Sequence, residues 1–151
     1  MTKILFADDS ENTRGILRFM LKNQGFDLVE AVDGEDALAK AASGAPDLIV
    51  LDGMMPKVSG FEACRQLKEN PATASIPVIL LSAIAQTDPG RDWARETEAD
   101  RFIAKPFQMK ELLGAIESLT GRTIASETAV RRKADLDPRP QGTVIRSKTG
   151  T

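Results

Sequence analysis

A chain of 151 residues, 42% hydrophobic and without an apolar run of about 18 residues, holds one domain with a short extension and no transmembrane helix. Having no histidine and a single cysteine, Cys64, it excludes histidine-dependent triads, His- or Cys-bound zinc and an internal disulfide framework. The net charge of −2 gives no overall pull toward nucleic acid, yet it averages an acidic stretch, residues 1–121 with 13 basic and 19 acidic side chains, and a basic end, residues 122–151 with 7 and 3. The start of the chain, Met1-Thr2-Lys3, lacks the long apolar stretch of a signal peptide and reads as cytoplasmic.

The first expected strand, about residues 3–7, runs straight into Asp8-Asp9-Ser10. A helix follows with Ile16, Leu17, Met20 and Leu21 on one face and Gly25 placed to stop it. Phe26 to Ala31 reads as a second strand, and Asp33-Gly34 turns into an Ala-rich helix carrying Ala37, Leu38, Ala41 and Ala42. Leu48-Ile49-Val50-Leu51 is an unbroken apolar run, as expected of a parallel strand buried on both faces, and it stops at Asp52. Ser59-Gly-Phe-Glu62 fits a capping box opening a third helix, with Phe61, Cys64 and Leu67 on its apolar side and Cys64 an inert core residue.

Ile76 to Leu81 is the fourth strand and leads into Ser82-Ala83. Gln86 to Ala99 makes the weakest helix, because Trp93 and Ala94 stand among Arg91, Asp92, Arg95, Glu96 and Glu98, and mobility is expected there. Arg101 to Ala104 is a short fifth strand ending at Lys105-Pro106, and Leu112, Leu113, Ile116 and Leu119 mark a final amphipathic helix closed by Gly121. Residues 122–151, broken by Asp137-Pro138-Arg139-Pro140, read as a disordered basic tail, solvated rather than a nucleic-acid arm.

Five strands alternating with five helices specify an α/β domain over residues 1–121, a doubly wound parallel sheet of flavodoxin-like order 2-1-3-4-5. In that order the first and third strands are neighbours whose connections leave to opposite faces. Asp8, Asp9 and Asp52 then meet at the switch point, where ligands bind. Three converging carboxylates repel unless a cation joins them, and a hard oxygen-seeking ion such as Mg²⁺ suits that donor set.

Asp8-Asp9 after the first strand, Asp52 ahead of Met55-Pro56, Ser82-Ala83 after the fourth strand and Lys105-Pro106-Phe107 after the fifth together resemble the receiver domain of bacterial response regulators. The resemblance covers about residues 2–121. With no output domain following, it suggests a single-domain, chemotaxis-type regulator. It implies that Asp52 accepts a phosphoryl group, and that Asp9, Asp52 and the Met54 backbone carbonyl hold Mg²⁺, with Asp8 reaching it through water. It further implies that Ser82 and Lys105 contact the phosphoryl group and that Phe102 stands at an aromatic switch position. The partners it implies are a sensor histidine kinase or phosphotransfer protein upstream and an unnamed protein target downstream, with no membrane partner. The face of the fourth helix, fifth strand and fifth helix serves a foreign target or a homodimer equally well.

Two departures from the family pattern stand out. Met54 and Ile84 are apolar where faster-hydrolysing relatives often carry polar side chains, so a long-lived phosphoaspartate is expected. Glu98-Ala99-Asp100 replaces the usual Gly-Ala-Asp. Three other readings compete: a phosphatase of the haloacid dehalogenase type, which wants an acid where Met54 stands; FMN binding, which Asp8-Asp9 would repel; and a phosphorylation-independent interaction module.

Overall fold

The computed structural model describes residues 2–83 and 93–121. Ile84, most of the expected fourth helix and the whole of the expected tail, residues 122–151, lie outside the described residues. Five strands, β1 (Lys3–Ala7), β2 (Asp27–Ala31), β3 (Leu48–Asp52), β4 (Val78–Ser82) and β5 (Arg101–Ala104), form one sheet in the order β2-β1-β3-β4-β5, every pair parallel. The helices are α1 (Glu11–Asn23), α2 (Gly34–Gly44), α3 (Gly60–Glu69), α4 (Trp93–Thr97) and α5 (Met109–Thr120). The flavodoxin-like order read from the sequence is the order found. No helix among the described residues is long and apolar enough to cross a membrane.

The sheet is the core. Ile4, Leu5, Phe6, Leu48 to Leu51 and Val78 to Leu81 are all at most 1% exposed, so β1, β3 and β4 are covered on both faces, as unbroken apolar runs require. Cys64 belongs to this core, where burial pushes its thiol up to about 12 and removes its nucleophilic character at neutral pH. Its Sγ donates to the Thr97 carbonyl and so ties α3 to α4.

Local capping follows the sequence closely. Ser10, Asp33 and Ser59 cap α1, α2 and α3 through side-chain oxygens that accept from Thr13, Asp36 and Glu62 amides. Gly25 and Gly121 stand in the left-handed region just past α1 and α5. Only half of the capping box at α3 is made. The Glu62 carboxylate turns to Arg65 and Gln66 on the outer face of the helix instead of back toward Ser59.

Four other expectations need correction. The buried stripe of α1 is Arg14, Leu17 and Leu21, while Ile16 is exposed and Met20 half-buried, so the helix is rotated from the face its apolar residues suggest. In α5, Ala115 is buried and Leu119 only partly so. The second strand starts one residue later than expected, although Phe26 is still buried beneath it. The fourth strand runs from Val78 through Ser82, so Ser82 is a strand residue rather than the first of a loop.

Glu98 keeps the backbone that glycine would supply, with φ of 63°, and Asp100 explains why that turn is held. The Asp100 carboxylate accepts from the Val78 amide and from the Lys68 ammonium, both at 2.8 Å, which pins the entry of β5 to the entry of β4. A β-carbon in the left-handed region costs about 1–2 kcal/mol, and this anchored turn holds it there.

Candidate functional site

The site is assembled at the carboxyl ends of β1 and β3, the two strands on either side of the topological switch. Register does the first part of the work. Ala7 pairs with both Ala31 and Leu51, so Asp8 and Asp52, each one residue further on, emerge side by side. Asp8 is 3% exposed and Asp52 7% exposed, whereas Asp9 faces solvent. One carboxylate oxygen from each of Asp8, Asp9 and Asp52 lies within 4.8 Å of the others.

That spacing suits a hard divalent ion. Octahedral Mg²⁺ with oxygen ligands at about 2.0–2.1 Å places opposite ligands about 4.2 Å apart, so a small contraction, or a water in place of one carboxylate, completes the fit. All the donors are oxygens, which favours Mg²⁺ or a similar ion over soft metals. Lys105 adds the second cation. Its Nζ donates to Asp52 Oδ1 at 3.1 Å and stands 3.9 Å from Asp8 Oδ2. The Lys105 amide donates to the Ser82 carbonyl, which sets the lysine from the end of β4.

The loop after Asp52 is held tightly. Its carboxylate accepts from the Met54 amide at 3.4 Å, and the Gly53 amide donates to Leu81 of β4. Met54 itself points outward, 62% exposed, at the rim of the site. Ser82 is fully buried, next to Gly53: a β-carbon on Gly53 would stand 2.8 Å from that of Ser82. Phe102 is half-buried and its ring stacks on Phe61 of α3, with centroids 6.5 Å apart. A cleft of about 480 Å³ lined by Thr13, Ala83, Lys105, Pro106 and Phe107 opens beside the lysine.

The structure therefore brings together Asp8, Asp9, Asp52 and Lys105 directly, with Met54 at the rim, Ser82 beneath and Phe102 one side chain removed behind Phe61. Two residues beside the site carry no local sequence signal. Phe61 lies on the apolar side of α3, and nothing in its neighbours marks it as the partner of a residue 41 positions away. Arg14 stands in an amphipathic helix, and only its burial in the fold, with Nη1 donating to the Asp8 carbonyl, distinguishes it.

Burial holds the Asp8 carboxyl above its usual range; the Asp52 and Asp9 carboxylates add to this, and the Ser10 amide and Lys105 oppose it. The folded group thus binds its proton at higher pH than the unfolded group does. Without metal, Asp8 favours folding more as pH falls through the raised folded value toward the unfolded one near about 3.9, and less as pH rises. In metal-free buffer, Asp8→Asn is expected to raise the thermal midpoint at pH 7, with the gap closing near pH 4. Saturating Mg²⁺ should stabilise the parent chain more than the variant. An Asp8→Asn midpoint at or below that of the parent in metal-free buffer at pH 7 would contradict this account.

The family model for the response regulator receiver domain matches residues 4–117. Protein PilG of Pseudomonas aeruginosa is 42% identical over 118 residues, which is 77% of this chain and 85% of PilG. The DNA-binding dual master transcriptional regulator RpaA of Synechocystis is 35% identical over 140 residues, 93% of this chain, and the chain spans only 58% of RpaA. Among solved structures, the response regulator TrrA of Thermotoga maritima in complex with Mg²⁺-BeF superposes with a TM-score of 0.69 at 32% identity, covering 79% of this chain and 99% of TrrA.

Proposed function

This chain belongs to the response regulator receiver domain family, and on that footing we propose that it is the phosphoryl-accepting switch of a two-component or phosphorelay system, with Asp52 as acceptor. Receiver domains are signalling modules rather than enzymes. The observation that carries the assignment is the pairing of Asp52 with Lys105 at 3.1 Å inside a cluster of three carboxylates. Residues 1–121 form the receiver and residues 122–151 an appended basic segment. We place the chain in the cytoplasm, with a histidine kinase or phosphotransfer protein as donor.

In this reading the Asp52 carboxylate attacks the phosphorus of a phosphohistidine without needing a general base, since the attacking carboxylate oxygen carries no proton to be removed. The new O–P bond forms as the P–N bond breaks, and the electron pair of that bond leaves with the imidazole. Asp9, Asp52 and the Met54 carbonyl would hold Mg²⁺, with Asp8 reaching it through water, and the ion would supply charge neutralisation at the phosphoryl group. The Mg²⁺-BeF complex of TrrA supports the choice of ion. Lys105 faces the phosphoryl oxygens, and Ser82 donates its hydroxyl to one of them. Phosphoryl transfer asks mainly for such positioning and charge stabilisation.

The signal then passes to the face of α4, β5 and α5. Drawing Ser82 toward the phosphoryl group shifts the end of β4, and Phe102, which has no hydroxyl and is held by stacking on Phe61, changes rotamer by packing alone. Met54 at the rim belongs to the apolar cover expected to slow hydrolysis of the phosphoaspartate. A haloacid-dehalogenase reading finds an apolar side chain where its second acid should stand, at Met54.

The test is the intact mass of the chain after incubation with acetyl phosphate, with and without Mg²⁺. A gain of one phosphoryl group that requires Mg²⁺ is the expected result. Steady consumption of the donor with no accumulated adduct would favour the phosphatase reading. No adduct from acetyl phosphate or from a phosphorylated kinase would leave an interaction module as the better account.

A further inference from the structure

We propose that Arg14 is a positioning residue for the acidic site, holding the peptide between Asp8 and Asp9 so that both carboxylates face Asp52. The side chain lies on the first turn of α1, and the residue is only 9% exposed. Its Nη1 donates to the Asp8 carbonyl oxygen at 2.7 Å, a buried, charge-assisted bond. Its other nitrogens are taken by two carboxylates, Nη2 by Glu11 and Nε by Glu30 at 3.4 Å. Glu30 belongs to β2 and is also held by Arg18. The guanidinium is therefore a rigid strut between the edge of the sheet and one carbonyl.

That carbonyl matters because of where the sheet stops. The last residue of β1 is Ala7, so the ladder no longer orients the chain beyond it. The Asp8 amide still reaches the Ala31 carbonyl, at 3.1 Å, and the Asp8 side chain accepts from Ser10. The 8–9 peptide itself is oriented by Arg14. Rotation of that plane would swing Asp9, which faces solvent, away from Asp52. Arg14 acts through the backbone more than through its field: the charges that chiefly act on the Asp8 carboxyl are Asp52, Lys105 and Asp9.

A purely structural role for a buried arginine held by two acids is the competing explanation, and metal affinity separates the two. The inference rests on the magnesium reading of the site. The experiment is isothermal titration of the full chain with MgCl₂, alongside urea denaturation, for the parent, Arg14→Lys, Arg14→Gln and Glu30→Gln. Groups that orient metal ligands typically change affinity by about 10–100-fold when replaced. Arg14→Lys, which keeps the charge but not the fork, is expected to weaken Mg²⁺ binding by about tenfold, and Arg14→Gln by more. Glu30→Gln, which loosens the far end of the strut but leaves the Asp8 contact, should lower the urea midpoint and weaken Mg²⁺ binding less than Arg14→Lys does.

Should Arg14→Gln fail to fold, Arg14→Lys carries the test alone. An unchanged dissociation constant in Arg14→Lys would overturn the proposal, as would an equal loss in Glu30→Gln. A parent chain that binds no Mg²⁺ would overturn the metal reading beneath it, a distinct outcome from a parent that binds and variants that bind equally well.

Discussion

Asp52→Asn is expected to abolish phosphoryl incorporation from acetyl phosphate entirely, while leaving the chain folded. Asparagine has nearly the same shape and keeps an oxygen that can accept from the Met54 amide and from Lys105, the two contacts the native carboxylate makes. What it lacks is the second carboxylate oxygen and the negative charge that the proposed attack on phosphorus needs, and the other two carboxylates of the described cluster are poor substitutes. Asp8 is buried, and its carboxyl is held toward the neutral form by that burial, which weakens it as a nucleophile. Asp9 faces solvent. Intact mass spectrometry with saturating Mg²⁺ checks the outcome. An adduct of undiminished stoichiometry in Asp52→Asn would move the acceptor elsewhere, and peptide mapping would then find it. The variant should also be at least as stable as the parent without metal, because three clustered carboxylates become two.

Gly60→Ala is expected to cost about 3 kcal/mol of stability, at the upper end of typical overpacking effects, and to disturb the loop after Asp52 at the same time. Gly60 opens α3 and donates its amide to the Gly53 carbonyl at 2.9 Å, which closes the loop that follows Asp52. A β-carbon there would stand 2.1 Å from the Asp52 carbonyl oxygen and 2.8 Å from the Gly53 Cα, both of them backbone atoms that cannot swing aside. The loop must therefore open, and Asp52 moves with it. Gly114→Ala is the control, since its added methyl meets nothing within 4 Å inside α5 and should stabilise by up to about 1 kcal/mol. Urea denaturation of the two variants measures the contrast, and acetyl phosphate labelling of Gly60→Ala reports the site. A Gly60→Ala midpoint equal to the parent's would mean that the loop has slack this packing denies.

Much of this protein is legible in its sequence. The unbroken apolar runs at 48–51 and 78–81 belong to strands buried on both faces, and alternation with helical segments leaves few topologies for a parallel sheet. Acids and a lysine at strand ends were then bound to converge, because parallel strands deliver all their carboxyl ends to one edge. These conclusions depend on contiguous residues and on rules of chain connection.

The tertiary structure alone decided how side chains between distant elements would share space. Hydrophobic spacing in α1 points to Ile16 and Met20, yet the helix turns to bury Arg14, because a carbonyl at the end of β1 and a carboxylate on β2 offer partners that no count along α1 reveals. The Glu62 carboxylate, free to close a capping box, goes to Arg65 and Gln66 on its own helix face. Glu98 occupies a glycine conformation because Asp100 is anchored to Val78 and Lys68. Periodicity and strand-end charge are properties of neighbouring residues and survive in the sequence. The rotation of a helix and the choice among competing polar partners are set by groups many residues apart, and only packing brings those groups together.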